Sequence, residues 1–150
     1  MVLVSVGRWR RGPVRDLFDH YRQRCPWPVE LLEVDLKRNV PAGQRRAAES
    51  RLVESALPSG LPLVVLDERG ELITSQRFAD LLGGWRDQGR GGVAVAIGGA
   101  DGVDDALRDR ADRVLALSRL TWPHLLVRAL VAEQLYRAAT ILGGHPYHRE

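Results

Sequence analysis

The stretch Leu61-Pro62-Leu63-Val64-Val65-Leu66 is an unbroken apolar run, preceded by Gly60 and followed by Asp67-Glu68-Arg69-Gly70. Six residues are too few for a helix, and a run with no polar position has no face to offer to water. It reads as a strand buried on both faces, the kind found in parallel sheets covered by helices. A second such run, Val93 to Ile97, ends in Gly98-Gly99-Ala100-Asp101-Gly102. Outward from these two the chain alternates. Val2 to Val6 and Val29 to Val34 precede them as strands, and Val114 to Leu117 follows. Val14 to Arg24 carries Leu17, Phe18 and Tyr21 at helical spacing and is closed by Pro26, while Gln44 to Leu57 is a helix ended by Pro58 and Gly60. Asp67-Glu68-Arg69-Gly70 reads as a turn leading to a helix capped by Thr74 or Ser75 and running towards Gln88. A short helix starts near Asp104, and the last spans about His124 to Leu142. Successive strand-helix units predict one α/β domain over residues 1–150, with a mainly parallel sheet. Ligands of such sheets sit beyond the carboxyl ends of the strands, which selects the loops after Leu66, Ile97 and Leu117.

Composition narrows the setting. The 150 residues are 45% hydrophobic and 27% charged, ordinary for a globular domain. No run approaches the ~20 apolar residues of a membrane span. The start, Met1-Val2-Leu3-Val4-Ser5-Val6-Gly7, has no basic stretch and is too short for a secretory signal; with the single Cys25 excluding an internal disulfide, the expected location is the cytoplasm. Of the 22 basic residues only Lys37 is a lysine. That bias fits a GC-rich genome as well as a function. The clusters Arg8, Arg10, Arg11, Arg15 and Arg45, Arg46, Arg51 can equally form a phosphate-binding surface or a solvated helix face.

Gly98-Gly99-x-x-Gly102 is either a tight strand-to-helix turn or a place where backbone approaches a ligand closely. It is not the G-x-G-x-x-G dinucleotide fingerprint, and no G-K-[ST] of a P-loop occurs. Ser118 to Pro123 sets Trp122 and Pro123 directly before a helix, which suits a planar ligand or a buried hydrophobic corner. His145 and His148 are separated by Pro146 and have no carboxylate or cysteine at ligand spacing apart from Glu150, so no metal site is expected. Cys25, between Arg24 and Pro26 with no paired histidine, reads as a packed thiol and not a nucleophile. Neither G-x-S-x-G nor H-E-x-x-H is present.

The last helix spreads Leu125, Leu126, Val127, Leu130, Val131, Leu135, Ala138, Ala139, Ile141 and Leu142 over a wide arc. A wide arc implies packing on two sides: the sheet on one and a second subunit on the other, hence a homodimer. Arg128 and Arg137 interrupt it. They serve either as partners of Glu133 or of backbone carbonyls, or as contacts to an anionic ligand or RNA. Most chain ends fray, so a tail of the composition Gly144-His145-Pro146-Tyr147-His148-Arg149-Glu150 is expected to be placed by the fold and used.

Leu120-Thr121-x-Pro123-His124-x-Leu126-Val127-Arg128-x-Leu130-Val131-Ala132-Glu133-Gln134-Leu135-Tyr136-Arg137-Ala138, followed by His145-Pro146-Tyr147-His148-Arg149-Glu150, closely resembles the RlmH family of SPOUT-class methyltransferases. Ile97-Gly98-Gly99-Ala100-Asp101-Gly102 matches that family's second glycine-rich loop, and Leu61 to Asp67 its preceding strand, so the likeness covers essentially the whole chain. Ala100 and Leu125 stand where family members often have proline; neither change removes a functional group.

The resemblance implies an α/β sheet with a C-terminal trefoil knot, assembled as a homodimer. It implies S-adenosylmethionine as cofactor, bent across Leu66, the pair Gly98 and Gly99, and the segment Ser118, Arg119, Leu120, Thr121, Trp122, Pro123. It implies methylation of N3 of pseudouridine 1915 in 23S ribosomal RNA, on the assembled 70S ribosome. N3 lies between two carbonyls and becomes nucleophilic as its proton leaves, a task a neutral histidine performs near pH 7. His148 is the expected base or base-orienter, with Tyr147 and Arg149 positioning the nucleotide. Arg8, Arg10, Arg11, Arg128 and Arg137 are the expected RNA contacts. Two rival readings are a SPOUT enzyme acting on a tRNA ribose, against which the tail argues, and a non-catalytic ribosome-binding module, against which loops and tail both argue.

Overall fold

A computed structural model describes residues 1–37 and 40–147 of the chain. Five strands alternate with five helices: β1 (Val2–Val6), α1 (Pro13–Arg24), β2 (Glu30–Val34), α2 (Ala42–Ala56), β3 (Leu63–Leu72), α3 (Ser75–Asp87), β4 (Ala94–Ile97), α4 (Asp105–Asp109), β5 (Arg113–Ala116) and α5 (His124–Leu142). The strands form one sheet in the order β2-β1-β4-β3-β5, every neighbouring pair parallel. Every carboxyl end therefore lies on one edge, where the loops after Leu66, Ile97 and Leu117 were expected to meet.

Alternation of side chains across the pleat divides the core in two. Leu3, Val64, Val95, Ile97 and Leu115 point towards α1, α3 and α5, and pack on Phe18, Leu82 and Leu135. Val4, Val6, Val65, Ala94 and Ala96 point the other way, onto Val53 of α2 and Leu107 of α4. Both faces are covered, which is why β3 and β4 carry apolar residues at consecutive positions. Helix starts follow local chemistry. Pro13 opens α1, the Thr74 hydroxyl accepts the Arg77 N–H at 3.1 Å, and an Asp104 carboxylate oxygen accepts the Leu107 N–H at 2.9 Å. Among the described residues, no helix is long and apolar enough to cross a membrane.

One expectation needs correction. Asp67 to Gly70 is not a turn that ends the strand: β3 continues to Leu72, and Leu115 of β5 takes both Leu66 and Glu71 as parallel partners. The chain between them crosses the β5 backbone. At Gly70 the approach is so close that an added Cβ would lie 2.5 Å from the Leu115 carbonyl carbon and 2.7 Å from its Cα and N. A charged tetrapeptide ending in glycine looks like a turn locally; only the passing strand shows that the glycine is there for clearance. α5 packs between α1 and α3 on one sheet face, burying Ala129, Val131, Ala132, Leu135, Ala138 and Ala139. Leu125, Leu126, Val127, Leu130, Ile141 and Leu142 of its wide apolar arc are only partly buried within the single chain.

Candidate active site

The three loops converge. Residues 66–69 within β3 and the residues at and after the ends of β4 and β5 line a cleft of about 360 Å³ whose walls include Leu66, Ile97, Gly98, Gly99, Leu117 and Trp122. A second cavity of about 270 Å³, between α3 and α5, shares Leu66, Leu117 and Trp122 with it. The glycine loop is shaped by its own compactness. Gly102 N–H donates to Gly99 O at 3.1 Å, Gly102 has φ +74°, and a Cβ at Gly98 would sit 2.7 Å from the Gly102 carbonyl. Glycine is thus required for the turn to close on itself. The third loop is organised by one hydroxyl: Ser118 Oγ accepts the Leu120 N–H at 2.9 Å and the Trp122 indole N–H at 2.8 Å. Trp122 is 39% exposed and Leu120 70% exposed, so this is an open apolar wall and not a buried corner.

The sequence-predicted cofactor residues divide. Leu66, Gly98, Gly99, Ser118, Leu120, Thr121 and Trp122 line the cleft; Arg119 and Pro123 do not, the latter closing the loop instead by accepting the Leu126 N–H at 2.8 Å. Other lining groups were not singled out. Asp67, side chain 3% exposed, is gripped by Arg69 (Nε to Oδ1, 2.8 Å) and approached by Arg108 of α4 at 3.7 Å. This clasp fixes the β3 crossing against α4. His124, the first residue of α5, lines the cleft half-buried; burial, then the charge of Arg128, lower its pKa, so its imidazole is neutral at pH 7. Arg46 and Asp101 also line it. The sequence marked Arg46 only as one of a cluster of arginines, because nothing local tells which residue of a helix faces a distant loop.

The tail is ordered as far as it is described. His145 N–H donates to Thr140 O at 2.9 Å, and the chain turns back along α5. Tyr147 packs edge-on against Tyr136, ring centroids 4.7 Å apart, with the Arg137 guanidinium 4.9 Å from its ring. Its hydroxyl lies 3.3 Å from Glu133 Oε1. Burial first, then Tyr21 and Glu133, push the phenol up to about 12, so it stays a hydrogen-bond donor. His148 and Arg149, the other two expected catalytic residues, lie outside the described residues. Tyr147 is not a wall of the cleft, but its partner Glu133 lines the adjoining cavity.

Of the expected RNA contacts, Arg8, Arg10 and Arg11 are exposed beyond the carboxyl end of β1, on the same sheet edge as the cleft. Arg137 is bound to Glu133. Arg128 must be corrected. It is fully buried, donating to Glu33 Oε1 at 2.8 Å, to Gly7 O at 2.7 Å and to Val6 O, with its guanidinium 4.9 Å from the Trp9 ring. A side chain with no exposed surface and these partners joins α5 to the ends of β1 and β2, and has no face for RNA. Among the described residues, no three His, Cys, Asp or Glu side chains gather as a metal site.

A parallel sheet whose three carboxyl-end loops close on one cleft, with the last helix leading out of the third loop, is the arrangement of a known methyltransferase class. The chain belongs to the SPOUT methyltransferases: the family described as "Predicted SPOUT methyltransferase" matches residues 1–148. Within that class it belongs with proteins named ribosomal RNA large subunit methyltransferase H. It is 51% identical to the one from Rhodospirillum centenum over 147 residues, 98% of this chain and 97% of that protein. It is 51% identical to the one from Rhodospirillum rubrum over 149 residues, and 50% identical to the one from Paramagnetospirillum magneticum over 149, each covering 99% of this chain and 98% of the relative.

Proposed function

We propose that this chain is an S-adenosylmethionine-dependent methyltransferase of ribosomal RNA, and more narrowly that it methylates N3 of pseudouridine 1915 in 23S RNA on the assembled 70S ribosome. The observation that carries the reading is the closure of three strand-end loops on one cleft, in a chain about half identical along its length to large-subunit rRNA methyltransferases. A ribosomal substrate implies the cytoplasm.

The residues present fit the cofactor. Leu66, Leu117 and Trp122 give apolar walls for a planar adenine, and the 118–122 loop presents backbone groups held in place by Ser118. When bound, S-adenosylmethionine supplies a methyl group already activated by its sulfonium, so the protein's own contribution is mainly alignment. His148 is the proton acceptor or its orienter; Tyr147, kept protonated, donates to the nucleotide, and Arg149 positions it. A base in a single-stranded loop is presented without breaking a full duplex, so extruding it costs little. Arg8, Arg10 and Arg11 meet phosphates on the cleft edge, and Arg137, beside Tyr147, is a further contact.

Two architectural points belong to the same reading. A trefoil knot is supported by the crossing of β5 at Gly70, since the last helix follows directly from the strand that is crossed. The homodimer rests on the family likeness.

The test is methyl transfer from labelled S-adenosylmethionine to intact 70S ribosomes, with and without the pseudouridine. Label confined to large-subunit RNA and strongest on the pseudouridylated particle is expected; no label on either particle, with cofactor binding intact, would move tRNA to first place. His148→Ala is expected to lose methylation while keeping cofactor binding; unchanged turnover would remove it from the chemistry. Trp122→Ala, which deletes a half-exposed wall and little core, is expected to weaken cofactor binding about tenfold, some 1.4 kcal/mol, with a melting temperature close to wild type. Titration calorimetry with a parallel thermal melt reads both.

A further inference from the structure

We propose that Glu49 and Ser50 of α2 are positioning residues for the cofactor: together they hold the glycine loop, Gly98 to Asp104, where it walls the cleft. This rests on the cofactor assigned above and adds to its binding machinery two residues that lie outside the cleft.

Both are buried polar side chains on the helix that packs Val53 against the sheet. Each touches one end of the loop. At the far end, Ser50 Oγ accepts the Asp104 N–H at 2.9 Å, and Asp104 in turn caps α4. At the near end, Glu49 stands directly against Gly99. A Cβ on Gly99 would overlap Glu49 Oε2 and lie 3.1 Å from its Cδ and 3.2 Å from Val6 Cγ1. Gly99 lines the cleft and Glu49 does not, so the carboxylate backs that wall from behind. It is also tethered. Arg45, one turn back on the same helix, holds Oε1 through Nε at 2.9 Å and leaves Oε2 against the loop.

Stability gives no reason for this arrangement. Glu49 is 4% exposed, and among the described residues its Oε2 has no hydrogen-bond partner. A buried acceptor without a donor costs stability, and functional sites are where folds carry such a cost. Gly99 does not have positive φ, so its backbone would accept a side chain. What requires glycine there is the closeness of Glu49 and Val6. Loop and helix are therefore fitted to each other. The glycine lets the helix approach, and the helix sets how far the loop stands into the cleft.

Titration calorimetry with S-adenosylmethionine, paired with thermal melts, tests this. Glu49→Ala is expected to bind the cofactor about tenfold more weakly, at a melting temperature close to wild type. Glu49→Gln keeps an acceptor for Arg45 and the bulk behind Gly99, and should recover most of the affinity. Gly99→Ala should also weaken binding about tenfold. Joined to Glu49→Ala, its methyl group gains the space the carboxylate filled. The double variant should then bind about as well as either single one, where independent effects would multiply to about a hundredfold. Glu54→Ala removes a carboxylate of the same helix that pairs with Arg110 and does not line the cleft; it should leave binding unchanged. In methyl transfer to ribosomes, Glu49→Ala should raise the cofactor KM about tenfold and leave the ribosome KM as it was, a split that a general loss of stability would not produce. Ser50→Ala deletes only a hydroxyl and is expected to bind the cofactor about threefold more weakly; it decides the matter should Glu49→Ala fold poorly. Wild-type affinity in Glu49→Ala, or in Ser50→Ala where the former does not fold, overturns the proposal, as do multiplying losses in the double variant. Wild type that binds no S-adenosylmethionine overturns the cofactor reading and this role with it. Cofactor binding with the expected losses but no rRNA methylation leaves the positioning role standing and removes the substrate assignment.

Discussion

Replacing Gly70 with alanine is expected to destabilise the protein by several kcal/mol and to weaken cofactor binding together with it. Two effects compete. Gly70 does not have positive φ, so its backbone suits alanine, and at a compatible site Gly→Ala stabilises by ~0.4–1 kcal/mol through the unfolded state. Against this stands a Cβ 2.5 Å from the backbone of Leu115, where ordinary contact begins near 3.4 Å. No side chain can swing away, because the obstructing atoms are main chain. Overpacking typically costs ~1–3 kcal/mol where side chains can adjust; relief here requires the crossing and β5 to separate, so the upper end or more is expected. The same movement displaces Leu66 and Leu117, both walls of the cleft. Urea unfolding should show a lower midpoint with little change in slope. A midpoint at or above wild type would mean that the chain does not pass over Leu115 in this way.

Arg128→Ala should be nearly as damaging, from within the core. The side chain has no exposed surface and satisfies two carbonyls at the end of β1 and one carboxylate oxygen on β2, the last also accepting the Trp9 N–H at 2.7 Å. Burial lowers its pKa, Glu33 opposes that shift, and the group stays cationic at any working pH. Truncation removes this donor from the Val6 and Gly7 carbonyls, leaves Glu33 Oε1 with the Trp9 N–H alone and no cation beside it, and opens a cavity beneath Trp9. Removing one member of a buried pair costs ~3–5 kcal/mol; Glu33 is 25% exposed, so water recovers part of that, and about 3 kcal/mol is expected. Arg128→Met separates the contributions by restoring volume without charge. If alanine and methionine are equally stable, the hydrogen bonds dominate; if either matches wild type in denaturant midpoint, the hub assignment fails.

The strands were legible because each is a short apolar run whose neighbours are polar or glycine, and the fold buries both faces of those runs, so pattern and environment agree. Val2 to Val6 was placed to the residue, and the other boundaries to within one or two, except the end of β3, which runs past Leu66 to Leu72. Asp67 to Gly70 misled for a definite reason: charge and glycine are the composition of a turn, and also of a segment that must pass another backbone with no side chain in the way. A wide apolar arc like that of α5 records how many neighbours a helix has but not whose they are; α1, α3 and the sheet cover part of it. Arg128 looked like a surface cation interrupting that arc because its partners, Val6, Gly7 and Glu33, lie about a hundred residues away in the chain.

By itself, the sequence determined the α/β class, the parallel sheet and the three loops from which a ligand site can be built, because hydrophobic period and turn chemistry are local properties. The tail and loop motifs added the family. Only the tertiary structure decided that those loops share one cleft, that Gly70 crosses β5, and that Arg128 is a buried tie. These are relations between segments remote along the chain, and they arise from packing, which no local pattern encodes.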